Sequence, residues 1–458
     1  MTGPVIRLLP ALAAAALCLA PACAIGTGTP GRQLAAQRRA ESADVVVAQD
    51  GSGDFPTIQQ ALDSLPEQAQ GYRVILIRNG TYREKVFIAR SHVALVGEDR
   101  ERTRLVFSQL RSEWRATHPD DWGAAVVNVA DDVTDLVLAN MTIHNDYGRD
   151  GKSHDHQFAV RSGKGTARIS VLHATVIADG GDTISLWNHE SGMYYHAGCT
   201  FEGYVDYFCP RGWSYATECQ FYGHSSTASI WHDGSAAEDQ KLVIRSSRFD
   251  GVPGFALGRI TRDGQFFLLD CEFSAAMADR PIYLAREPET FRWGLRAYFS
   301  GCRREGGDFP WHADTLELPP GVGSSEEIDA RWTFGGRWDP EATLPAVLPF
   351  ASVPAPRNGA RAVPVTTRSL RWTGARNAFA YDVRFGQVDP PPIVARVETT
   401  SFEPTALTPD TTYVWRVDAV TPDGIREGAL WRFRAVEIDG GTAMSPQGRS
   451  SKGHEHAR

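Results

Sequence analysis

The chain has 458 residues, of which 42% are hydrophobic, and this is enough to bury a large core and to form more than one domain. Its formal net charge of -8 excludes the basic surface with which proteins bind nucleic acid. The 43 glycines, the 27 prolines and many short β-rich segments favour strands and turns over long helices. We therefore expect two domains, both built mainly from β-structure.

The N-terminus reads as a secretory signal peptide. Arg7 precedes an apolar stretch that is too short for a comfortable membrane span, and small residues suited to cleavage follow it. We expect a signal peptide over residues 1–24, with cleavage after Ala24. The alternative is a lipoprotein signal that anchors the protein at Cys23. The sequence thus predicts a secreted protein, extracellular or periplasmic, without a membrane span, and we expect a monomer.

A repeat in the middle of the chain predicts stacked coils. Phe201, Phe221, Phe249 and Phe273 follow one another at intervals of 20, 28 and 24 residues, each with a small residue two positions earlier. A variable period in the twenties is typical of coils whose equivalent residues form ladders. No amphipathic helix of useful length separates the strands. The sequence therefore predicts an all-β fold, a right-handed parallel β-helix.

Two further features concern the ends and the interior of this stack. The segment DFPTIQQALDSLPE predicts a short helix that has Thr57 as its N-cap and closes the N-terminal end of the stack. Beyond the leader the chain has five cysteines, an odd number whose spacing fits no zinc pattern. We expect buried thiols. Cys199 and Cys219 lie on adjacent coils, but stacked side chains point in parallel, which argues against a disulfide. The five are Cys199, Cys209, Cys219, Cys271 and Cys302.

A second domain is predicted after a segment rich in proline and small polar residues near residues 350–360. Alternating strands with turns at about ten-residue spacing indicate a smaller β-sandwich. It resembles a fibronectin type III domain through Trp372, the strand YDVRFG and the run from Leu407 to Val417. We expect the β-helix over 44–350, the sandwich over 351–436 and a disordered polar tail over 437–458.

The coil repeat also predicts which polar residues are neighbours. Asp206, within GYVDYF, follows Asp182 by 24 residues, which is one coil, and strands of adjacent coils lie about 4.8 Å apart. Two carboxylates this close cannot both ionise cheaply, which suits one ionised nucleophile and one protonated general acid. Arg259 would keep the nucleophile ionised, and Gln157 would offer an amide donor to an oxyanion. From spacing alone, two alternatives remain open. One is that Asp182 is an ordinary turn residue, and the other is that Arg259 and Asp206 form a plain ion pair without a catalytic role.

Seven segments, in order, resemble the motifs of pectin methylesterases over about residues 44–350. They are VVVAQDGSGDFPTIQQALDSLP, NGTYREKV, VALVGED, QFAVR, GDTISL, GYVDYF and ALGR. The resemblance implies that Asp206 attacks the methyl ester carbonyl, that Asp182 protonates departing methanol and then activates water, that Gln157 donates to the oxyanion, and that Arg259 holds Asp206. It implies no metal and no cofactor.

The chain also departs from this family. Gly181 stands where the family has a glutamine, so one oxyanion donor is missing. Other departures are Cys209, Pro210 and Arg211 after the second aspartate, and Ile260 and Thr261 in place of a tryptophan after Arg259. We expect Trp187, Trp213 and Trp231 to supply a surface on which sugars stack.

The expected function is therefore hydrolysis of the methyl esters of pectin, a polygalacturonan. Two alternatives of the same fold stay open: a related esterase or thioesterase, and a catalytically weak pectin-binding protein. A pectate lyase would need a calcium-binding cluster of acids, which the sequence does not show. Because the chain is acidic, methylated and nearly neutral stretches of the polymer are the expected substrate.

Overall fold

A computed structural model describes residues 43–67, 70–234, 236–286 and 291–437. The predicted signal peptide at 1–24, the alternative anchor at Cys23 and nearly all of the predicted tail lie outside these residues. Among the residues described, no helix is long and apolar enough to cross a membrane.

Residues 45–304 form three parallel sheets that run along one stack of coils. Sheet 1 has ten strands: Val45–Val47, Arg73–Ile77, Val93–Gly97, Thr134–Ala139, Ala167–Leu172, Met193–Ala197, Trp213–Thr217, Leu242–Arg245, Gly264–Leu269 and Leu295–Ser300. Sheet 2 has eight: Val86–Ile88, Ala125–Val129, Phe158–Ser162, Ile184–Leu186, Phe208–Pro210, Ala228–Trp231, Ala256–Ile260 and Tyr283–Leu284. Sheet 3 has nine: Gly80–Tyr82, Thr103–Phe107, Thr142–Asn145, Thr175–Ala178, Thr200–Gly203, Gln220–Gly223, Arg248–Gly251, Glu272–Phe273 and Arg303–Arg304. This architecture is a parallel β-helix, so the predicted fold class is confirmed.

The predicted phenylalanine repeat is a ladder inside sheet 3. Phe201 pairs with Phe221, Phe221 with Phe249, and Phe249 with Phe273. The ring centroids of successive pairs lie 5.6, 4.4 and 5.6 Å apart, and all four rings are buried. Aromatic rings at these separations attract one another beyond the area that they bury. The ladder therefore favours one register between neighbouring coils.

The corner between sheets 1 and 3 is turned in the same way on coil after coil. The residue that follows the sheet 1 strand has a positive φ, between 47° and 64°, at seven successive corners. This left-handed conformation reverses the chain sharply and is uncommon for residues other than glycine. Its repetition keeps the cross-section of the coils constant. The seven residues are Asn140, His173, Gly198, Glu218, Ser246, Asp270 and Gly301.

The helix predicted near the N-terminus is confirmed as Ile58–Asp63. The Thr57 side chain accepts a hydrogen bond from Gln60 N at 3.3 Å, and Ile58, Ala61 and Leu62 are buried in the core of the β-helix. The other helical segments described are short: Arg111–Arg115 and Ala330–Thr333, with 3-10 turns at Arg149–Gly151, Pro310–His312, Ser325–Glu327 and Glu341–Ala346. All five predicted cysteine thiols are buried and free, Cys199 and Cys219 included.

Residues 352–436 form two mostly antiparallel sheets around a core of their own. One sheet contains Ser352–Ala355, Leu370–Thr373 and Ser401–Phe402. The other contains Ala360–Pro364, Ala380–Gly386, Ile393–Val397, Thr411–Thr421, Gly424–Arg426 and Trp431–Val436. Trp372, Trp415 and Trp431 are buried between them. This is the predicted smaller β-sandwich, whereas the resemblance to fibronectin type III and the exact domain boundaries stay predictions.

The phenylalanine ladder predicts a large stability effect at its centre. Phe221→Ala would remove a fully buried ring that contacts a ring on each side, which is expected to cost about 3–5 kcal/mol in the free energy of unfolding. Tyr222→Ala is the matched control, because Tyr222 is adjacent in sequence and exposed, and it should cost less than about 1 kcal/mol. Denaturant unfolding of both variants is the measurement. Equal losses would contradict the ladder as a source of stability.

Candidate active site

The structure brings the two predicted carboxylates together on sheet 2. Ile184 pairs with Phe208 on the next coil, so Asp182 and Asp206, each two residues before that pair, also lie on adjacent coils. The backbone N–H of Asp182 donates to Val205 O at 2.9 Å. Both residues are buried, with 9% of Asp182 and 2% of Asp206 exposed. The parallel register therefore sets the spacing of the two acids.

Both aspartates have a left-handed backbone conformation. The φ angle is 59° at Asp182 and 51° at Asp206. Aspartate and asparagine enter this region more readily than other residues with a side chain, because their short polar groups bond locally. An asparagine at either position thus keeps the backbone conformation and the shape of the site while removing the charge.

Arg259 holds Asp206 as predicted, through a two-pronged contact. Its Nε donates to Asp206 Oδ1 at 2.9 Å, and its Nη2 donates to Oδ2 at 2.6 Å. The guanidinium carbon lies 5.2 Å from the ring centroid of Trp231, and Trp231 Nε1 donates to Asp233 Oδ2 at 2.7 Å. Bidentate pairs of this kind fix a carboxylate in orientation as well as in position. Trp231 therefore packs beside the cation that orients Asp206.

Burial changes the acidity of both carboxyls. It raises the pKa of Asp206 to about 7, although the hydrogen bonds and the charge of Arg259 oppose this and the charge of Asp182 adds to it. Burial also raises the pKa of Asp182, against the opposing effect of nearby His156 and Arg211. Two carboxyls this close titrate as a pair. Of the two, only Asp206 contacts Arg259, and this contact favours its ionised form.

A histidine lies on the other side of Asp182. His156 Nε2 is 4.0 Å from Asp182 Oδ2, and His156 Nδ1 is 2.6 Å from Asp155 Oδ1. The sequence predicts the two histidines of SHDHQ, His156 among them, to be loop residues, with contact to a ligand as the weaker alternative. Its position directly before Gln157 was the only available signal. The imidazole thus lies between two carboxylates at the edge of the site.

Gln157 does not have the free amide that the sequence predicted. The residue is fully buried, its Nε2 donates to Ser153 O at 2.6 Å and to Asp179 O at 3.4 Å, and its Oε1 accepts from Gly148 N at 2.9 Å. These bonds hold the loop that precedes sheet 2. The prediction of a free oxyanion donor at Gln157 is wrong for this conformation, because the surrounding backbone carbonyls already occupy the amide.

The two glycines before Asp182 lie too close to their neighbours to carry a side chain. A Cβ at Gly180 would lie 2.3 Å from Asp155 O and 2.5 Å from Gln157 Nε2. A Cβ at Gly181 would lie 2.8 Å from Val205 Cγ1. Any larger residue at these positions would force its neighbours to shift. Gly181, the departure from the family pattern, is therefore accommodated by the packing of this chain.

The three predicted tryptophans lie in different places. Trp187 follows a sheet 2 strand and is 37% exposed, with Arg161 and Arg211 at its ring. Trp213 lies in sheet 1, where it is buried beneath Arg337. Its predicted contact with substrate is wrong, because the chain has turned onto another face of the coil. Of the three, Trp187 is exposed and Trp231 is half-buried on sheet 2, the sheet of the carboxylates.

A cleft of about 470 Å³ opens beside Trp187 on sheet 2. Its lining combines aromatic rings with acidic and basic groups: Asp120, Asp121, Trp122, Asn128, Val129, Ala130, Asp131, Arg161, Ser162, Gly163, Lys164 and Trp187. A volume of this order is typical of ligand sites. Within the described ranges, no group of three or more acids, histidines or cysteines is placed to hold a metal ion.

Comparison with known proteins agrees with this fold. The family model described as Pectinesterase matches residues 44–235. The chain is 27% identical over 233 residues to "Probable pectinesterase/pectinesterase inhibitor 58" of Arabidopsis thaliana, a match that covers 49% of this chain and 38% of that protein. "Putative pectinesterase 11" of the same organism is 26% identical over 235 residues, or 48% of this chain and 61% of that protein. The chain spans about half the length of the curated relatives it matches.

Solved structures of pectin methylesterases share the fold. The pectin methylesterase PemA from Erwinia chrysanthemi superposes with a TM-score of 0.53 at 19% identity, covering 65% of this chain and 98% of that chain. A pectin methylesterase in complex with a hexasaccharide gives the same TM-score of 0.53, also at 19% identity and with the same coverage. The β-helix of this protein therefore has the fold of those enzymes.

The electrostatics of the pair predict an aspartate that titrates near neutrality. Carbon-13 NMR of aspartate-labelled protein should show a carboxyl with a pKa of about 7, and this signal should be absent from Asp206→Asn. Arg259→Gln removes a positive charge that favours the ionised form, so the same signal should titrate at higher pH. Arg248→Gln, which breaks an ion pair with Glu305 on sheet 3, should leave it unchanged. A midpoint near the ordinary value of 3.8 would contradict the account of burial.

Proposed function

We propose that this protein hydrolyses the methyl esters of pectin, releasing methanol and leaving free carboxylates on the polygalacturonan chain. The observation that carries the proposal is the contact of Arg259 with Asp206 at 2.6 and 2.9 Å, with Asp182 on the adjacent coil. It gives one carboxylate oriented by a cation and one carboxyl whose pKa burial raises. The pectinesterase match over residues 44–235 supports this choice of ester.

In the first half of the reaction, a carboxylate oxygen of Asp206 attacks the ester carbonyl carbon. The tetrahedral intermediate collapses as the bond from carbon to the methoxy oxygen breaks, and Asp182 gives its proton to that oxygen. Methanol leaves, and an anhydride joins Asp206 to the substrate. Arg259 stays beside Asp206 throughout, and its charge stabilises the negative charge that passes to the intermediate.

The second half reverses the proton transfer. Asp182, now ionised, takes a proton from a water molecule, whose oxygen attacks the substrate carbonyl carbon. The anhydride bond breaks, Asp206 leaves as a carboxylate held by Arg259, and Asp182 is protonated again. The sugar acid that results loses its proton to solvent. Asp182 makes both proton transfers of the cycle and one proton is released to solvent, so the reaction balances without a cofactor.

The remaining predictions about context belong to the same proposal. The polymer is the partner, and the enzyme acts outside the cytoplasm after removal of the leader predicted at residues 1–24. A second candidate function is binding of pectin with weak catalysis. It is favoured by Gly181 and by the buried amide of Gln157, which together leave the site without the expected amide donors. Loss of one such donor lowers rates by about two to three orders of magnitude.

The unequal roles of the two acids predict different responses to the same substitution. Asp206→Asn removes the nucleophile, so methanol release from highly esterified polygalacturonan should fall to background at every pH. Asp182→Asn removes proton transfer alone, which is worth about two to four orders of magnitude, so an ester with a better leaving group than methoxide should restore part of the rate. Both variants preserve the left-handed backbone, and steady-state rates on methyl and activated esters are the measurement.

The controls separate this chemistry from loss of structure. Asp233→Asn changes a buried aspartate that accepts a hydrogen bond from Trp231 rather than from Arg259, and it should retain most of the activity. Rescue of the Asp206 variant by the activated ester, or equal rescue of both variants, would show that the roles are exchanged or that the reaction occurs elsewhere. Binding of esterified polymer by the wild type without methanol release would favour the second candidate function.

A further inference from the structure

Arg211 is a buried cation without a counter-ion in contact. The residue is 7% exposed, and its Nη1 is buried with no hydrogen-bond acceptor among the described residues. Its guanidinium carbon lies 3.9 Å from the centroid of the Trp187 ring. A buried charge usually has a partner, because removing it from water is unfavourable. Stacking on an aromatic ring offsets only part of that cost.

Two other arginines of this face have carboxylate partners. Arg161 Nη2 donates to Asp121 Oδ2 at 2.6 Å, and Arg259 contacts Asp206. Arg161 also stands at the Trp187 ring, 4.7 Å from its centroid. Within the described part of the chain, Arg211 is therefore the arginine at Trp187 whose charge no contacting carboxylate balances.

Arg211 is displaced along the strand from the reacting carboxylates. Leu186 pairs with Pro210, so Trp187 and Arg211 are neighbours on adjacent coils, five residues after Asp182 and Asp206 respectively. The Arg211 guanidinium stacks on Trp187 and makes no hydrogen bond to either aspartate, although its charge is near enough to lower the pKa of Asp182. It therefore lies beside the reacting pair and not in contact with it. Trp187, with its exposed ring, offers a sugar a stacking surface next to this guanidinium.

We propose that Arg211, stacked on Trp187, binds a free carboxylate on a sugar that neighbours the ester under attack. The guanidinium fork matches a planar carboxylate, and an arriving anion would supply the missing counter-charge. The pectin chain offers such a carboxylate wherever a methyl group is absent. This assigns Arg211 as a specificity residue for partly de-esterified substrate and modifies the expectation that neutral stretches alone are preferred. It rests on the proposed esterase function.

The test compares two oligogalacturonates of equal length, one fully methyl-esterified and one with methylated and free residues alternating. For Arg211→Gln, KM for methanol release from the alternating substrate should rise about tenfold to a hundredfold. For the fully esterified substrate, kcat and KM should both stay within about twofold of the wild-type values. Arg211→Lys keeps the charge but loses the fork, so its KM should lie between these values. Arg337→Gln is the control, since Arg337 also stacks at 3.9 Å on a tryptophan, Trp213 of sheet 1, and neither substrate should be affected.

Calorimetry with fully de-esterified oligogalacturonate gives a readout that needs no turnover. The wild type should bind it, and Arg211→Gln should bind it more weakly by the same factor as the change in KM. A loss of kcat on both substrates would place Arg211 at the reacting ester and overturn the proposal. Unchanged kcat and KM on both substrates would also overturn it. If the wild type releases no methanol at all, the esterase function fails, and calorimetry still decides whether Arg211 binds a carboxylate. If Arg211→Gln does not fold, Arg211→Lys carries the comparison.

Discussion

The parallel hydrogen-bonded register between adjacent coils is the constraint on which the rest of this protein depends. It stacks Phe201, Phe221 and Phe249 into one buried ladder, and it sets Asp182 beside Asp206 on another face of the same coils. A shift of one residue would turn every side chain of a strand to the opposite face. The core and the candidate active site are therefore fixed by the same backbone pairing, and neither can change register alone.

This arrangement buries most of the surface of both aspartates, and for Asp206 the effect of burial exceeds that of its cation. The bidentate contact with Arg259 favours the ionised form of Asp206, yet the pKa still rises to about 7. The contact favours ionisation of Asp206 and leaves Asp182, whose pKa burial also raises, without such a partner. Catalytic acid and base pairs need such a difference, and here it follows from one contact, since Arg259 reaches Asp206 but not Asp182.

The repeat spacing of the sequence predicted the stacked coils and the pair of aspartates. The spacing of the phenylalanines gave the coils, and a spacing of 24 residues gave the pair of aspartates. Predictions from the sequence were wrong where the role of a residue depends on the groups that surround its side chain. Gln157 is occupied by loop carbonyls that no coil repeat describes, and Trp213 falls on sheet 1 because the chain turns between Arg211 and Trp213. The position of His156 beside Asp182 depends on the loop before sheet 2, whose path has no periodic signal.

The central claim is that Asp206 forms a covalent bond with the substrate. The most direct measurement uses Asp182→Asn, in which proton transfer from the attacking water is impaired, with an activated ester and hydroxylamine, followed by digestion and mass spectrometry. Hydroxylamine attacks either carbonyl of an anhydride, so part of the trapped enzyme should have a hydroxamate on Asp206, and enzyme without ester should have none. Turnover of the ester with no hydroxamate on Asp206, or with one on another residue, would contradict the account.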